Sequence, residues 1–326
     1  MRAYVIRRLL VAIPTFLLVT MIVFAVARLI PGNVIDLMLS SRETYVQIDE
    51  TQLKHALGFD VPIHIQYGRW LGILPYPDTG FKGLLEGNLG RSLWTDTRVA
   101  EEIANRFPVS LELAIVALLT SLLIGLPIGI YSSIRQDTIG DYLARSLAIA
   151  LIALPAFWIA TMVMVFPSIW WRWSPPTDYV PFFQNPLKNL SVFIIPGLIL
   201  GMVTSGIVMR MTRTMMLEVL RQDYIRTAWS KGLRERVVLI RHALKNALMP
   251  VVTIIGIQIP MMIGGSVVLE QIFVLPGVGQ LLIDVVNKRD YPVLSGINIF
   301  MAGLVVVSNL VVDMTYAYLD PRVHYR

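Results

Sequence analysis

The chain has 326 residues, of which 55% are hydrophobic and 15% charged. An average soluble domain is about 25% charged, so these charges are too few to cover a globule of this size in water, which argues against a cytosolic enzyme and against disorder. The net charge of +6 comes from 28 basic and 22 acidic residues, and it fits nucleic acid, anionic lipid or no specific partner until it is located.

In chain order, six windows lack Asp, Glu, Lys and Arg and reach the length that crosses a bilayer: 9–27, 113–134, 146–171, 189–209, 246–269 and 291–312. A helix needs about 20 apolar residues for that crossing. Lipid forces backbone polar groups to pair within the segment, so helices are expected. Apolar and polar residues do not alternate strictly, which argues against a β-barrel. With their flanks, the predicted spans run at about 9–29, 108–134, 143–171, 189–211, 246–270 and 291–315. Arg7 and Arg8 before the first run, and Ala25-Val26-Ala27 at its end, resemble a cleaved signal. The run exceeds the usual signal core of about 7–15 residues, so the first span is expected to be retained.

Six spans put both termini on one side. The connection 210–245 holds nine Lys and Arg, the N-terminal tail three and the C-terminal tail two, while Arg135 and Arg145 flank the second connection. The short connections of the other side carry Arg172 and Lys188, and Lys288 and Arg289. The positive-inside rule therefore expects both termini and 210–245 in the cytoplasm. By parity 31–107 lies outside. It carries seven basic and ten acidic residues with Tyr67, Trp70 and Tyr76, and a small cap with short helices is expected there.

Within the spans, Gly125 and Gly129, and Gly197, Gly201 and Ser205, recur every fourth residue. That spacing lets helices approach closely. Pro14, Pro127, Pro155, Pro196 and Pro260 interrupt the spans and predict kinks. Trp158, Trp170, Trp171 and Trp173 suit an interfacial aromatic belt. Glu112, Glu270 and Asp313 stand at span ends, where capping or interfacial roles are expected, and Glu270 is also a candidate contact for a substrate amine.

The connection 210–245 has nine basic residues and three acidic ones, so it holds the whole excess of +6. Leu233, Val237, Ile240, Leu244 and Leu248 follow helical spacing on one face. Residues 223–231 also suit a helix, and Gly232 between the two suits a tight turn with positive φ. A DNA-reading helix-turn-helix is a poor fit between two spans this close. A basic face against anionic lipid and a docking element for a cytoplasmic partner both fit.

The run DYIRTAWSKGLRERVVLIRHALKNALMP (223–250) resembles the coupling motif of ABC-importer permeases. The usual Glu-Ala-Ala start is replaced by Arg226-Thr227-Ala228, followed by Gly232, and proline is delayed to Pro250. These departures resemble the dipeptide/oligopeptide/nickel permease family. RRLLVAIPTF, RLIPGN (28–33), EGNLGRSL (86–93), RFPVSLELA (106–114), EQIFVLPGVGQLLIDVV (270–286), RDYPVLSG (289–296) and the terminal LDPR (319–322) are similar to its B-type subunit, in the expected order.

The resemblance implies an all-α, six-helix type I ABC-importer permease with an extracytoplasmic insertion after the first helix, in a prokaryotic inner membrane. It implies a homologous second permease subunit, two cytoplasmic ATP-binding subunits that hold ATP and Mg, an extracytoplasmic substrate-binding protein and surrounding membrane lipid. Short peptides are the expected cargo, with nickel chelates, sugars or opines as relatives' alternatives. For ATPase coupling it points to Asp223, Arg226, Thr227, Ala228, Gly232 and Leu233. For the pathway entrance it points to Gly87, Leu89, Gly90 and Ser92, with Glu270 a candidate from its place at a span end.

The residues agree that chemistry is supplied elsewhere. No Gly-Lys dipeptide occurs, so a P-loop is impossible, and HExxH and G-x-S-x-G are absent. Without cysteine there is no disulfide, thiolate metal site or thiol nucleophile. The four histidines, His55, His64, His242 and His324, lie outside the spans, which disfavours a metal site or an intramembrane enzyme. An ion-coupled secondary transporter would need acidic residues near the midplane, and the windows hold none. No nucleic-acid partner, cofactor or catalytic residue is expected in this chain.

Overall fold

The computed structural model describes residues 2–29, 60–75 and 83–319. The expected structure of 33–59 and 76–82, including Tyr76, most of the RLIPGN string and the last three residues of LDPR lie outside the described residues, as does the side chain of Asp313.

Among the described residues the chain is helical, with one isolated bridge pair, Arg91 and Arg98. The helices are α1 (Arg2–Leu29), α2 (Ile63–Leu71), α3 (Val99–Ile134), α4 (Ile139–Ala153), α5 (Ala156–Trp171) and α6 (Pro186–Leu220). They are followed by α7 (Asp223–Ser230), α8 (Lys245–Gly265), α9 (Val267–Ile272), α10 (Val278–Lys288) and α11 (Tyr291–Leu319). A helical turn at Glu235–Val237 and a π-helical segment at Val238–Leu244 lead into α8.

Among the described residues four helical stretches are long and apolar enough to cross a membrane: α3, α6, Glu235–Ile272 and Tyr291–Val312. A fifth is reached only if α4 and α5 count as one, and in α1 the apolar stretch Ile13–Val26 is shorter. Within the expected span at 143–171, where Pro155 predicts a kink, α4 and α5 meet at 86°. The break sits at Leu154-Pro155. Proline has no N–H to donate and pushes the residue before it out of helical geometry, and Leu154 is extended at ψ 121. Pro14, Pro127, Pro196 and Pro260 lie inside helices that continue through them. Two boundaries also move, since α3 starts at Val99 and α6 runs on to Leu220.

The residues form two compact units. In the unit built on Arg2–Phe107 and Leu281–Gly303, Phe24 of α1 meets Tyr67 edge-on at 5.4 Å and Trp70 at 5.5 Å. Thr20 and Tyr67 share a hydroxyl hydrogen bond of 2.9 Å. Phe107 and Phe300 stand edge to face at 4.9 Å.

The unit built on Pro108–Gln280 and the chain from Leu304 is packed by its small residues. A Cβ on Gly129 of α3 would lie 2.7 Å from the Met209 carbonyl of α6, and one on Gly201 of α6 would lie 2.5 Å from the Ala117 carbonyl of α3. Gly206 approaches the Ala148 carbonyl of α4 as closely, at 2.8 Å. Real side chains cannot stand there, so the four-residue spacing lets α6 lie against α3, and Gly206, outside that series, lets it lie against α4.

Asp141, in the first turn of α4, is fully buried in this unit. Arg213 of α6 donates to it through Nε at 2.8 Å and Nη2 at 2.8 Å, and the Ser132 hydroxyl donates at 2.5 Å. This bidentate pair ties the α3–α4 connection to α6.

Candidate functional site

The coupling candidates begin where α6 ends. Gln222 is extended at φ −73 and ψ 148, and α7 starts with Asp223, whose charge suits a helix N-terminus. Only two residues of α7 are buried, Ile225 and Ala228, one turn apart on one face. They pack on Met216 of α6, on Val238 and Ala243 of the π segment and on Ala247 of α8. Asp223, Tyr224, Arg226, Thr227, Trp229 and Ser230 are all exposed. Arg226 and Asp223 pair at 3.4 Å on the open surface, where such a pair adds little stability. Tyr224 accepts a hydrogen bond of 2.9 Å from the Asn246 amide, which ties α7 to the first turn of α8.

Gly232 has φ +71 and nothing within 4 Å of where a Cβ would stand. The backbone, not space, therefore asks for glycine there. Its N–H closes the turn on the Trp229 carbonyl at 2.9 Å. Of the nine basic residues in 210–245, only Arg213 is partly buried, so the excess charge is presented to the outside.

The single apolar face expected after Gly232 is corrected. Leu233, Val237 and Ile240 are 37%, 38% and 53% exposed, and the buried positions are Val238, Ala243 and Ala247. Hydrogen bonds from i to i+5 in the π segment widen each turn, so a stripe read at helical spacing drifts off the core. Leu239, Ile240 and Leu244 instead line a groove of about 560 Å³ with Ile130 and Ile134 of α3, rimmed by Arg234 and Arg236.

The entrance candidates form a tight turn in the other unit. Gly87 has φ +76 and Gly90 φ +89, and the Gly90 N–H donates to the Asn88 side chain at 2.9 Å. Leu89 between them is partly buried. The Ser92 hydroxyl donates to the Asp290 carboxylate at 2.6 Å and accepts from the Trp94 and Thr95 amides at 3.2 and 3.1 Å. The Leu93 amide adds a second donor to Asp290 at 3.3 Å, and the Trp94 indole donates to the Lys288 carbonyl at 2.9 Å. Burial pushes the Asp290 carboxyl above its ordinary value, against the pull of Ser92 and the Leu93 and Val293 amides.

Glu270, the candidate contact for a substrate amine, lies within the unit built on Pro108–Gln280. It is fully buried. Its Oε1 accepts from the Ser110 and Ser266 hydroxyls at 2.7 Å each, and its Oε2 accepts from the Gln280 amide at 3.0 Å. With its carboxylate enclosed by donors, it holds α3, α9 and the start of α10 together. Glu112 accepts from the Asn189 amide at 2.9 Å and so joins α3 to the first turn of α6.

Reading the sequence missed Asp141, Arg213 and Asp290 as organising residues. Thr138-x-x-Asp141 has helix-capping spacing that could have flagged the first. Ser92 falls in EGNLGRSL and Asp290 in RDYPVLSG, but nothing local pairs positions 198 apart.

Residues 125–325 match the family model described as binding-protein-dependent transport system inner membrane component, and residues 1–114 match the model of its N-terminal part. The chain is 38% identical over 325 residues to a putative peptide transport system permease protein of Brucella suis biovar 1, covering 100% of both. It is 34% identical over 349 residues to the dipeptide transport system permease protein DppB of Escherichia coli K12, again covering 100% of both. Among solved structures, the inward-facing MetNI methionine ABC transporter matches with a TM-score of 0.53 and 16% identity, over 67% of this chain and 96% of that one. At that identity the likeness speaks for the fold alone.

Proposed function

The chain belongs to the family of binding-protein-dependent transport system inner membrane components, and from that membership we propose that it is one of two permease subunits of an ATP-driven importer of short peptides. The names of its full-length relatives support peptide cargo. The chain supplies half of the pathway. A homologous permease supplies the other half, two cytoplasmic subunits bind ATP and Mg, and an extracytoplasmic binding protein delivers the peptide. Six spans, with α1 and the α4–α5 pair included, place both termini and 210–245 in the cytoplasm and 31–107 outside.

The observation that carries the reading is α7. A helix of 8 residues, held by two buried side chains and followed by a left-handed glycine, stands in the most basic connection of the chain. In this role Asp223, Arg226 and Thr227 face the ATPase, Ala228 seats the helix on its cluster, Gly232 makes the turn, and Leu233, 37% exposed, is a contact position beside it. Closure of the ATPase pair moves α7 and, through the Ile225 and Ala228 cluster, the attached ends of α6 and α8.

Gly232→Val tests this. A β-branched residue at φ +71 costs roughly 1–2 kcal/mol in backbone strain and displaces α7, while the spans are untouched. Membrane insertion and assembly with the second permease should persist, with peptide uptake falling at least about tenfold and ATP hydrolysis losing its response to loaded binding protein. Wild-type uptake by this variant would remove α7 from the coupling role.

A further inference from the structure

A cleft of about 160 Å³ opens between α4 and α6. Its floor is Ala148, Ile149 and Ile152 of α4 with Met209 of α6, and Arg145 and Arg210 stand at its rim. The two arginines mark the ends of charge-free windows, since 146–171 begins just after Arg145 and 189–209 ends just before Arg210. The rim is thus at the depth where headgroups sit. Ile152 lies seven residues further along α4, roughly 10 Å at 1.5 Å per residue, within the charge-free window.

The charge of the cleft is unbalanced. Asp141 is its acidic neighbour, and Arg213 occupies that carboxylate through two hydrogen bonds. Arg145 reaches Asp141 at only 3.4 Å, stacks over the Tyr142 ring at 4.4 Å and is 39% exposed. Among the described residues no carboxylate stands within ion-pair distance of Arg210. The surrounding face of α4 is apolar and uncovered, with Leu143 66% and Ile149 67% exposed. A cationic rim at headgroup depth over an apolar slot matches an amphiphile with an anionic head. A protein partner would need no such step from charge to hydrocarbon.

We propose that this cleft is a binding site for an anionic phospholipid of the cytoplasmic leaflet, its phosphate held by Arg145 and Arg210 and its acyl chain lying along Ala148, Ile149 and Ile152. The proposal rests on the membrane orientation given above and not on the coupling role of α7.

Because the chain has no cysteine, Ile149→Cys places a single thiol of this subunit in the slot. A fluorophore on that thiol, on the assembled complex with its other subunits' cysteines replaced, is followed in nanodiscs holding brominated phosphatidylglycerol or brominated phosphatidylcholine. Phosphatidylglycerol should quench at a mole fraction about tenfold lower than phosphatidylcholine. Arg210→Gln, which breaks no ion pair of the described fold, should remove most of that preference, and Arg145→Gln with it the rest. Binding of the ATPase subunits to each variant reports that the complex is assembled and oriented, so a failed lipid preference is separable from a failed topology. Equal quenching by the two lipids, an unchanged preference in the double variant, or a thiol shielded from both lipids and cross-linking to the second permease would each overturn the site.

Discussion

The turn at Gly232 and the turn at Gly90 both rest on a left-handed glycine, with φ +71 and +89, yet their polar groups are used differently. Around Gly90 they are consumed within the fold. Ser92 satisfies a carboxylate 198 positions away while accepting from two amides, and the Trp94 indole is spent on the Lys288 carbonyl. Around Gly232 they are left outward. Asp223, Arg226, Thr227, Lys231 and Arg234 are exposed, and α7 holds to its unit by Ile225, Ala228 and one tyrosine hydrogen bond. A turn with its donors and acceptors used inside is a fixed part of the scaffold. A turn seated by a few apolar contacts, with its charges exposed, is available for another protein to grip.

The strongest way to break this contrast is to loosen what lies beneath the free turn. Arg213 is on α6, ten residues before Asp223, and it is the principal partner of fully buried Asp141. Arg213→Ala leaves that carboxylate only the longer contact to Arg145 at 3.4 Å, and breaking a buried pair in this way costs about 3–5 kcal/mol. The assembled complex should melt many degrees lower or fail to accumulate, and pairing the change with Asp141→Asn should recover part of the loss. If Arg213→Ala melts like wild type, α6 is not anchored in this way, and α7 has no firm base to move.

Two kinds of glycine sharpen the contrast next. Gly201→Leu drives a side chain into the Ala117 carbonyl and the Thr120 side chain, and such overpacking costs about 1–3 kcal/mol or more. It should lower the melting temperature and reduce uptake only in proportion to folded complex. Gly232→Ala meets no atom and carries only the dihedral cost of roughly 1–2 kcal/mol. Its effect should appear as uptake lost per folded complex. Should both variants fail in the same way, close packing and presentation are not separate tasks.

Much of this was legible in the sequence because it is local or periodic. Charge-free windows marked the long helices, four-residue spacing of small side chains marked the α3–α6 contact, and the whole excess charge marked the segment that carries α7. What was hidden depends on long-range pairing or on backbone that departs from ideal spacing. Helix resumes only at Glu235 and turns π at Val238–Leu244, so Leu233, Val237 and Ile240 do not share one buried face. Of the five prolines that predict kinks, Pro155 alone divides its window, at 86°, while helices continue through the other four. Glu270 looked like a charge at a span end, since its two serines and the Gln280 amide are brought together only by the fold.

The smallest expected effect tests the fixed turn by pH. Asp290 lies between α10 and α11, and burial raises its carboxyl above the unfolded value despite the Ser92 hydroxyl and two amides. A carboxyl raised on folding binds its proton more tightly in the folded state. Its favourable contribution is therefore fully present below the unfolded value of about 3.9 and is lost as pH rises through its own higher value. Asp290→Asn removes this term. The variant's melting temperature should vary less across that window than wild type's, and its deficit relative to wild type should shrink as pH rises. Ser92→Ala takes away a donor that lowers the carboxyl, so the wild-type window should extend to higher pH in that variant. A deficit of Asp290→Asn that grows with rising pH would mean that the ionised carboxylate is favoured by its donors more than burial opposes it, and the turn would then be held by charge and not by a buried acid.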